Sequence, residues 1–98
     1  MNIFDLPKAV PDEVVTILAE NENVRIERIV STGQTTGWYD QCETEFVVLL
    51  EGSAKVEFKN GDIIALSKGD SIIIKPHEKH RVCYTSSLPP CVWLCVFY

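Results

Sequence analysis

The residues able to do chemistry crowd into one stretch, from Gly37 to Arg81. It opens on Trp38-Tyr39-Asp40-Gln41, passes Glu45, and ends on Pro76-His77-Glu78-Lys79-His80-Arg81-Val82, which holds both histidines of the chain. Two histidines can hold a metal ion or move protons near neutral pH, and a carboxylate can join them in either task. Three residues apart in a loop, they can equally be surface or hydrogen-bonded side chains. Tyr39 and Tyr84 add phenolic acids, and Asp40 reads as an acid or as a turn residue. Trp38, Tyr39, Tyr84 and Trp93 can line a pocket mouth, although aromatic residues on strands more often belong to the core.

The four cysteines, Cys42, Cys83, Cys91 and Cys95, form no C-x-x-C pair. Neither a zinc ribbon nor a thioredoxin motif is suggested, and reduced, buried thiols packing as small apolar groups are expected. Nine basic and fourteen acidic side chains give a net charge of -5, scattered along the chain. That distribution argues against a nucleic-acid surface, which needs clustered Lys and Arg. No apolar run approaches the roughly 20 residues that span a bilayer. The start, Met1-Asn2-Ile3-Phe4-Asp5, lacks the plan of a signal peptide, so a cytoplasmic protein without membrane partners is expected.

Alternation predicts the elements that must position these groups. Residues 1–11, with Pro7 and Pro11, read as an extended arm able to lie across a neighbouring surface. Asp12 to Glu20 fits a short helix or a strand, and its β-branched content favours the strand. Val24 to Val30 alternates apolar and charged side chains, as a half-buried strand does. Further strands are predicted at Glu45–Leu50, Ala54–Lys59, Asp62–Leu66, Ser71–Lys75, Arg81–Thr85 and Val92–Tyr98. Asn60-Gly61 suits a two-residue type I′ hairpin turn. Glu45, Val47 and Leu49 share one face; His80, Val82 and Tyr84 share another, with Arg81 and Cys83 opposed to them. The last strand is apolar on both faces. At a free sheet edge it would invite aggregation, so a cover is expected, either the N-terminal arm or a second copy in a homodimer.

Short strands joined by turns, without a strong helix, predict an all-β sandwich or barrel. With 98 residues, 46% apolar and 23% charged, the chain suits one domain with one modest core.

In order and spacing the chain resembles the cupin family, small jelly-roll β-barrels, over roughly residues 33–98. The first cupin motif runs Gly, five residues, H-x-H, three or four residues, Glu, six residues, Gly. Glu45 and Gly52 fit its second half, while the two histidine positions fall on Tyr39 and Gln41 with a three-residue spacer, or on Trp38 and Asp40 with four. In the second motif Gly69 and His80 match, His77 stands at a glycine position and Tyr84 at the asparagine position. The chain is also similar to a subgroup of small single-domain cupins of unassigned function, which carry W-Y-D-Q, H-x-x-H-R-V and a P-x-x-W-L last strand. The resemblance implies a single cupin domain over 1–98, with residues 1–11 as an arm.

It also implies a metal inside the barrel. Carried over, this leaves Glu45 and His80 as direct matches, Gln41 or Asp40 as an oxygen substitute, and His77 as an addition. Such a two-histidine, one-carboxylate set suits iron, manganese, zinc or nickel, with no organic cofactor. Three functions follow: a metal-dependent cupin holding a small polar ligand, a metal-free binding or sensing module, and a metal-free isomerase or epimerase. In the last, Glu45, His80 and Tyr39 are the catalytic candidates, His80 as base and Tyr39 or Tyr84 as acid.

Overall fold

Eight strands and no helix make up the computed structural model, which describes residues 1–98. They are β1 (Val14–Glu20), β2 (Arg25–Ser31), β3 (Glu45–Glu51), β4 (Ala54–Phe58), β5 (Ile63–Leu66), β6 (Ser71–Ile74), β7 (His80–Thr85) and β8 (Cys91–Phe97). A five-stranded antiparallel sheet, β1-β2-β8-β3-β6, faces a three-stranded one, β5-β4-β7. The expected all-β, jelly-roll-type architecture is present. Its core lies where Val47, Leu49, Trp93 and Cys95 of the larger sheet meet Ala54, Val56, Phe58 and Leu66 of the smaller one.

The last strand is not an edge. β8 pairs with β2 along Arg25↔Phe97 to Ser31↔Cys91 and with β3 along Glu45↔Phe97 to Glu51↔Val92. A strand with both edges paired and both faces covered reads as a continuous apolar run, which is the pattern of β8. Its cover is therefore β2 and β3, rather than the arm or a second copy acting on a free edge. The arm does lie against the chain's own surface. Arg28, only 5% exposed, donates from Nη1 to the carbonyls of Ile3 (3.2 Å) and Asp5 (2.8 Å). Gln34 Nε2 donates to the carbonyls of Val10 (3.2 Å) and Pro11 (3.1 Å).

Two local expectations are corrected. The β4–β5 connection is not a type I′ turn, because Asn60 does not take a positive φ. Gly61 N–H donates to the Phe58 carbonyl at 2.9 Å, Phe58 N–H to that of Asp62 at 2.8 Å, and Gly61 alone is left-handed, at φ 100°. This is a three-residue loop, a type I turn closed by a glycine bulge. In β7 the alternation breaks. Val56 pairs with Val82 and Lys55 with Tyr84, so the register shifts by one residue at Cys83. The bulge turns Tyr84 out to 46% exposure and Thr85 inward to 4%.

Gly52, which ends β3, is constrained twice. Its φ is +91°, and a Cβ there would stand 2.8 Å from the Pro90 carbonyl oxygen and 2.9 Å from Cys91 Cα. Gly61 has a similar φ but open space around it. Gly61→Ala is expected to cost about 1 kcal/mol, the left-handed penalty alone. Gly52→Ala should cost about 3 kcal/mol or more, because backbone must also move. Urea unfolding of both variants checks this, and equal losses would show that the contact at Gly52 relaxes freely.

Candidate functional site

A cavity of about 330 Å³ opens between the two sheets. Its polar end is assembled from the first residues of two strands and one loop. β3 delivers Glu45, which sits between Phe97 of β8 and Ile74 of β6 in the sheet register. β7 delivers His80, opposite Phe58 of β4. The segment before β3 pairs with β7, Tyr39 N–H donating to the His80 carbonyl at 2.7 Å and His80 N–H to that of Tyr39 at 3.2 Å. That pairing carries Tyr39 and Gln41 into the cavity wall.

His80 is 4% exposed, and its Nδ1 lies 2.8 Å from the Glu78 carbonyl oxygen. A carbonyl can only accept, so Nδ1 carries a proton, and Nε2 is the ring nitrogen turned towards the cavity. Glu45 Oε1 stands 3.9 Å from that Nε2, too far for a hydrogen bond. The same oxygen accepts from Gln41 Nε2 at 3.1 Å, which leaves the side-chain oxygen Oε1 of Gln41 free. Glu45 is 8% exposed and has no arginine partner. Burial pushes its carboxyl above the usual range, a shift resisted by hydrogen bonds to Gln41 and Cys95 and by the charge of His80. The Cys95 thiol is pushed far up by burial and then by Glu45. Tyr39 is also raised, first by burial and then by the charges of Glu13 and Glu45.

A second group of charges lines the same cavity and comes largely from β2. Arg25 donates from Nε to Glu27 Oε2 at 2.8 Å and from Nη1 to Glu43 Oε2 at 2.9 Å, with its guanidinium 4.3 Å above the Phe97 ring. Glu13 joins the wall, its carboxyl raised by burial and then by Glu27. The alternation of Val24–Val30 gave the right period but carried no signal for which face is inside. Arg25 and Glu27 face the cavity.

The other expected residues lie elsewhere. His77, at φ 59°, holds its Nδ1 2.8 Å from Asp40 Oδ1, and both side chains are largely exposed and outside the cavity wall. Trp38, 40% exposed, is flanked by Lys59 Nζ at 4.2 Å and Arg81 Cζ at 4.8 Å from its ring centroid. Arg81 pairs with Glu57 at 2.6 Å. Of the aromatic residues singled out, only Trp93 is core; its Nε1 donates to Ser31 Oγ at 3.0 Å. All four cysteines are free, Cys91 and Cys95 buried, Cys83 half-buried and Cys42 exposed against expectation.

The structure thus brings Glu45, His80, Gln41 and Tyr39 together and leaves His77 and Asp40 out. No group of three or more His, Cys, Asp or Glu side chains is arranged to hold a metal ion. Glu45 and His80 face each other, Gln41 turns its amide nitrogen to Glu45, and His77 is engaged by Asp40. The donor set does not fit the metal site that the resemblance implied.

With fold and site in view, the chain's membership is plain. The family model described as "Cupin domain" matches residues 25–97, and the chain belongs to the cupin family. It is similar to a Ralstonia eutropha JMP134 protein named a "putative mannose-6-phosphate isomerase", with 36% identity, a TM-score of 0.93 and 99% of this chain and 94% of that one covered. A cupin superfamily protein from Desulfitobacterium hafniense DCB-2 shares the fold at 16% identity, with a TM-score of 0.82 and 94% and 82% of the two chains covered. An RmlC-like cupin from Shewanella frigidimarina NCIMB 400 does so at 20% identity, with a TM-score of 0.76 and 87% and 74% covered. No curated protein matches the chain.

A raised carboxyl pKa means that the folded state holds the proton more tightly than the unfolded chain. The stability this adds is full below the unfolded pKa and is lost as pH rises through the folded one. Glu45→Gln keeps the neutral shape and removes the titration. It is expected to be about 1–2 kcal/mol more stable than the parent at neutral and alkaline pH, a gain of about 4–8 °C per kcal/mol in Tm. The gap should close towards acid. Glu13 shifts the same way in both proteins and cancels in the comparison. A variant less stable than the parent at pH about 8 would mean that the carboxylate has a stabilising partner that glutamine cannot replace.

Proposed function

We propose that this cupin binds a small polar ligand in the cavity between its sheets, without a metal. The observation that supports it is the cluster of free acceptors at the polar end: His80 Nε2, Glu45 and the side-chain oxygen of Gln41, set among apolar walls. A concave, mostly apolar site with a few convergent polar atoms is the usual form of a small-molecule site. The metal-dependent alternative would have to draw its remaining ligands from water or substrate around Glu45 and His80.

A second reading, an isomerase, rests on the pairing of those two groups and on the name of the Ralstonia relative. His80 Nε2, when it carries no proton, is a base, and Glu45, whose carboxyl burial raises, is the acid beside it. On an α-hydroxy carbonyl compound, Nε2 would take the proton from the carbon beside the carbonyl while Glu45 gives one to the carbonyl oxygen. The protonated His80 ring would then return its proton to the former carbonyl carbon of the enediol, while the neighbouring hydroxyl gives its proton back to Glu45 and becomes the new carbonyl. Tyr39 stands in the wall as an alternative acid; Tyr84 is turned away.

We also infer a homodimer, through the outer face of the larger sheet. There Ile26, Val96, Phe46 and Ile73 form one cross-strand row, half-buried except for Ile73, which is 58% exposed. Light scattering is expected to find a dimer at micromolar concentration and a monomer for Ile73→Lys; a monomeric parent would sink the dimer.

For the site, isotope-labelled protein titrated with small polyols, amines and hydroxy carbonyl compounds should show binding at the His80 ring. His80→Ala is expected to weaken that binding about tenfold or more. Plasma mass spectrometry after incubation with iron, manganese, nickel or zinc should find metal far below one per chain. A near-stoichiometric ion lost in His80→Ala would replace this reading with a metallo-cupin. Deuterium uptake at the carbon beside a ligand carbonyl, abolished in His80→Ala, would decide for the isomerase.

A further inference from the structure

The charges of the cavity are one-sided. Four carboxylates line it, Glu13, Glu27, Glu43 and Glu45, against the single guanidinium of Arg25. That guanidinium is already held by Glu27 and by Glu43 on two nitrogens, with its face on Phe97. No lysine is in the wall. Glu13 and Glu45 therefore have no cation of their own, and burial raises both carboxyls.

An independent observation points the same way. His80 is 96% buried by its 4% exposure, and its Nδ1–H is fixed on the Glu78 carbonyl. Its Nε2 faces the cavity with no hydrogen bond, Glu45 being 3.9 Å away. In the tautomer that this bond selects, Nδ1 holds the proton and Nε2 can only accept. Gln41 has its amide hydrogens turned to Glu45, so its free atom is also an acceptor.

We propose that the cavity is built for a positively charged, N–H-donating ligand, a small organic amine, and turns away phosphorylated compounds; this rests on the ligand-binding reading above. An ammonium group carries three donors and no acceptor. It answers Glu45, His80 Nε2 and the Gln41 oxygen at once and supplies the cation that Glu45 and Glu13 lack. A phosphate would meet four carboxylates and a guanidinium already taken. Charge-assisted hydrogen bonds in a site shielded from water are the strong ones, so the sign of the ligand charge dominates selection.

The test is a set of three hexoses alike except in charge: mannosamine, mannose and mannose 6-phosphate. Each is titrated into labelled full-length protein while the His80 ring and the Glu45 carboxyl are followed by NMR. Mannosamine is expected to bind about tenfold more tightly than mannose, and mannose 6-phosphate more weakly than either. In Glu45→Gln the preference for mannosamine over mannose should fall about tenfold. Glu13→Gln, at a less buried position, should reduce it in the same sense and serves if Glu45→Gln folds poorly. Mannose 6-phosphate binding as tightly as mannosamine would overturn the charge assignment and leave the ligand-binding reading standing. An unchanged preference in both variants would overturn it too. No response to any of the three sugars would count against both.

Discussion

β8 carries β2 on one edge and β3 on the other, and the register of those two ladders decides which side chains enter the cavity. Phe97 stands opposite Arg25 on one side and Glu45 on the other, and Ile74 continues that row from β6. The next inward row is Glu27, Cys95, Val47 and Ile72, and the third is Ile29, Trp93 and Leu49. The rows grade from charged at one end to apolar at the other. A slip of one residue in either ladder would exchange every inward residue for an outward one. The fully buried Val92 and Cys91 at the far end of β8 oppose that slip, and Gly52 permits their close approach.

This grading explains how a 98-residue chain tolerates charge between its sheets. Arg25 is stacked on Phe97 and shared by two carboxylates, so its desolvation is offset locally. Glu45 has only neutral donors, the Gln41 amide and the Cys95 thiol, plus a histidine beyond hydrogen-bond reach. A group held that way in a stable fold is a cost of function more readily than a source of stability. The apolar end, where Leu49, Val92 and Cys91 are wholly buried, is what carries the fold.

Much of this was legible in the residues. Alternation, β-branched content and turn residues together located all eight strands, and the glycine spacing around Glu45 and Gly69 led to the family that the comparisons show. What alternation could not supply was the side. In Arg25–Ser31, Arg25 and Glu27 point inward over the polar end of the cavity, while Arg28 points outward and is held by the arm. Tyr84 was misplaced because a bulge at Cys83 inserts one residue, and no residue type in that strand announces a bulge. The two-sided apolar composition of β8 suggests an edge covered by the arm or a second copy, although full pairing gives the same pattern. The spacer before Glu45 left Asp40 and Gln41 interchangeable. Backbone pairing of Tyr39 with His80 separates them, sending Tyr39 and Gln41 inward and Asp40 outward to His77.

That last assignment bears on what the site became. With the three-residue spacer, Tyr39 and Gln41 occupy the positions where the resemblance places metal-binding histidines, and both line the cavity. A phenol whose pKa is raised above its ordinary value, first by burial, and an amide are poor donors to a transition metal. Glu45 and His80 keep their places and their acceptor atoms. A metal site is itself a convergence of acceptors on a cation, so removing two ligands while keeping the rest leaves a pocket that still favours positive charge. It no longer fixes tetrahedral or octahedral geometry. The Gln41 amide even ties down one carboxylate oxygen that an ion would need. What remains is better matched to the hydrogens of a bound molecule than to the coordination sphere of a metal.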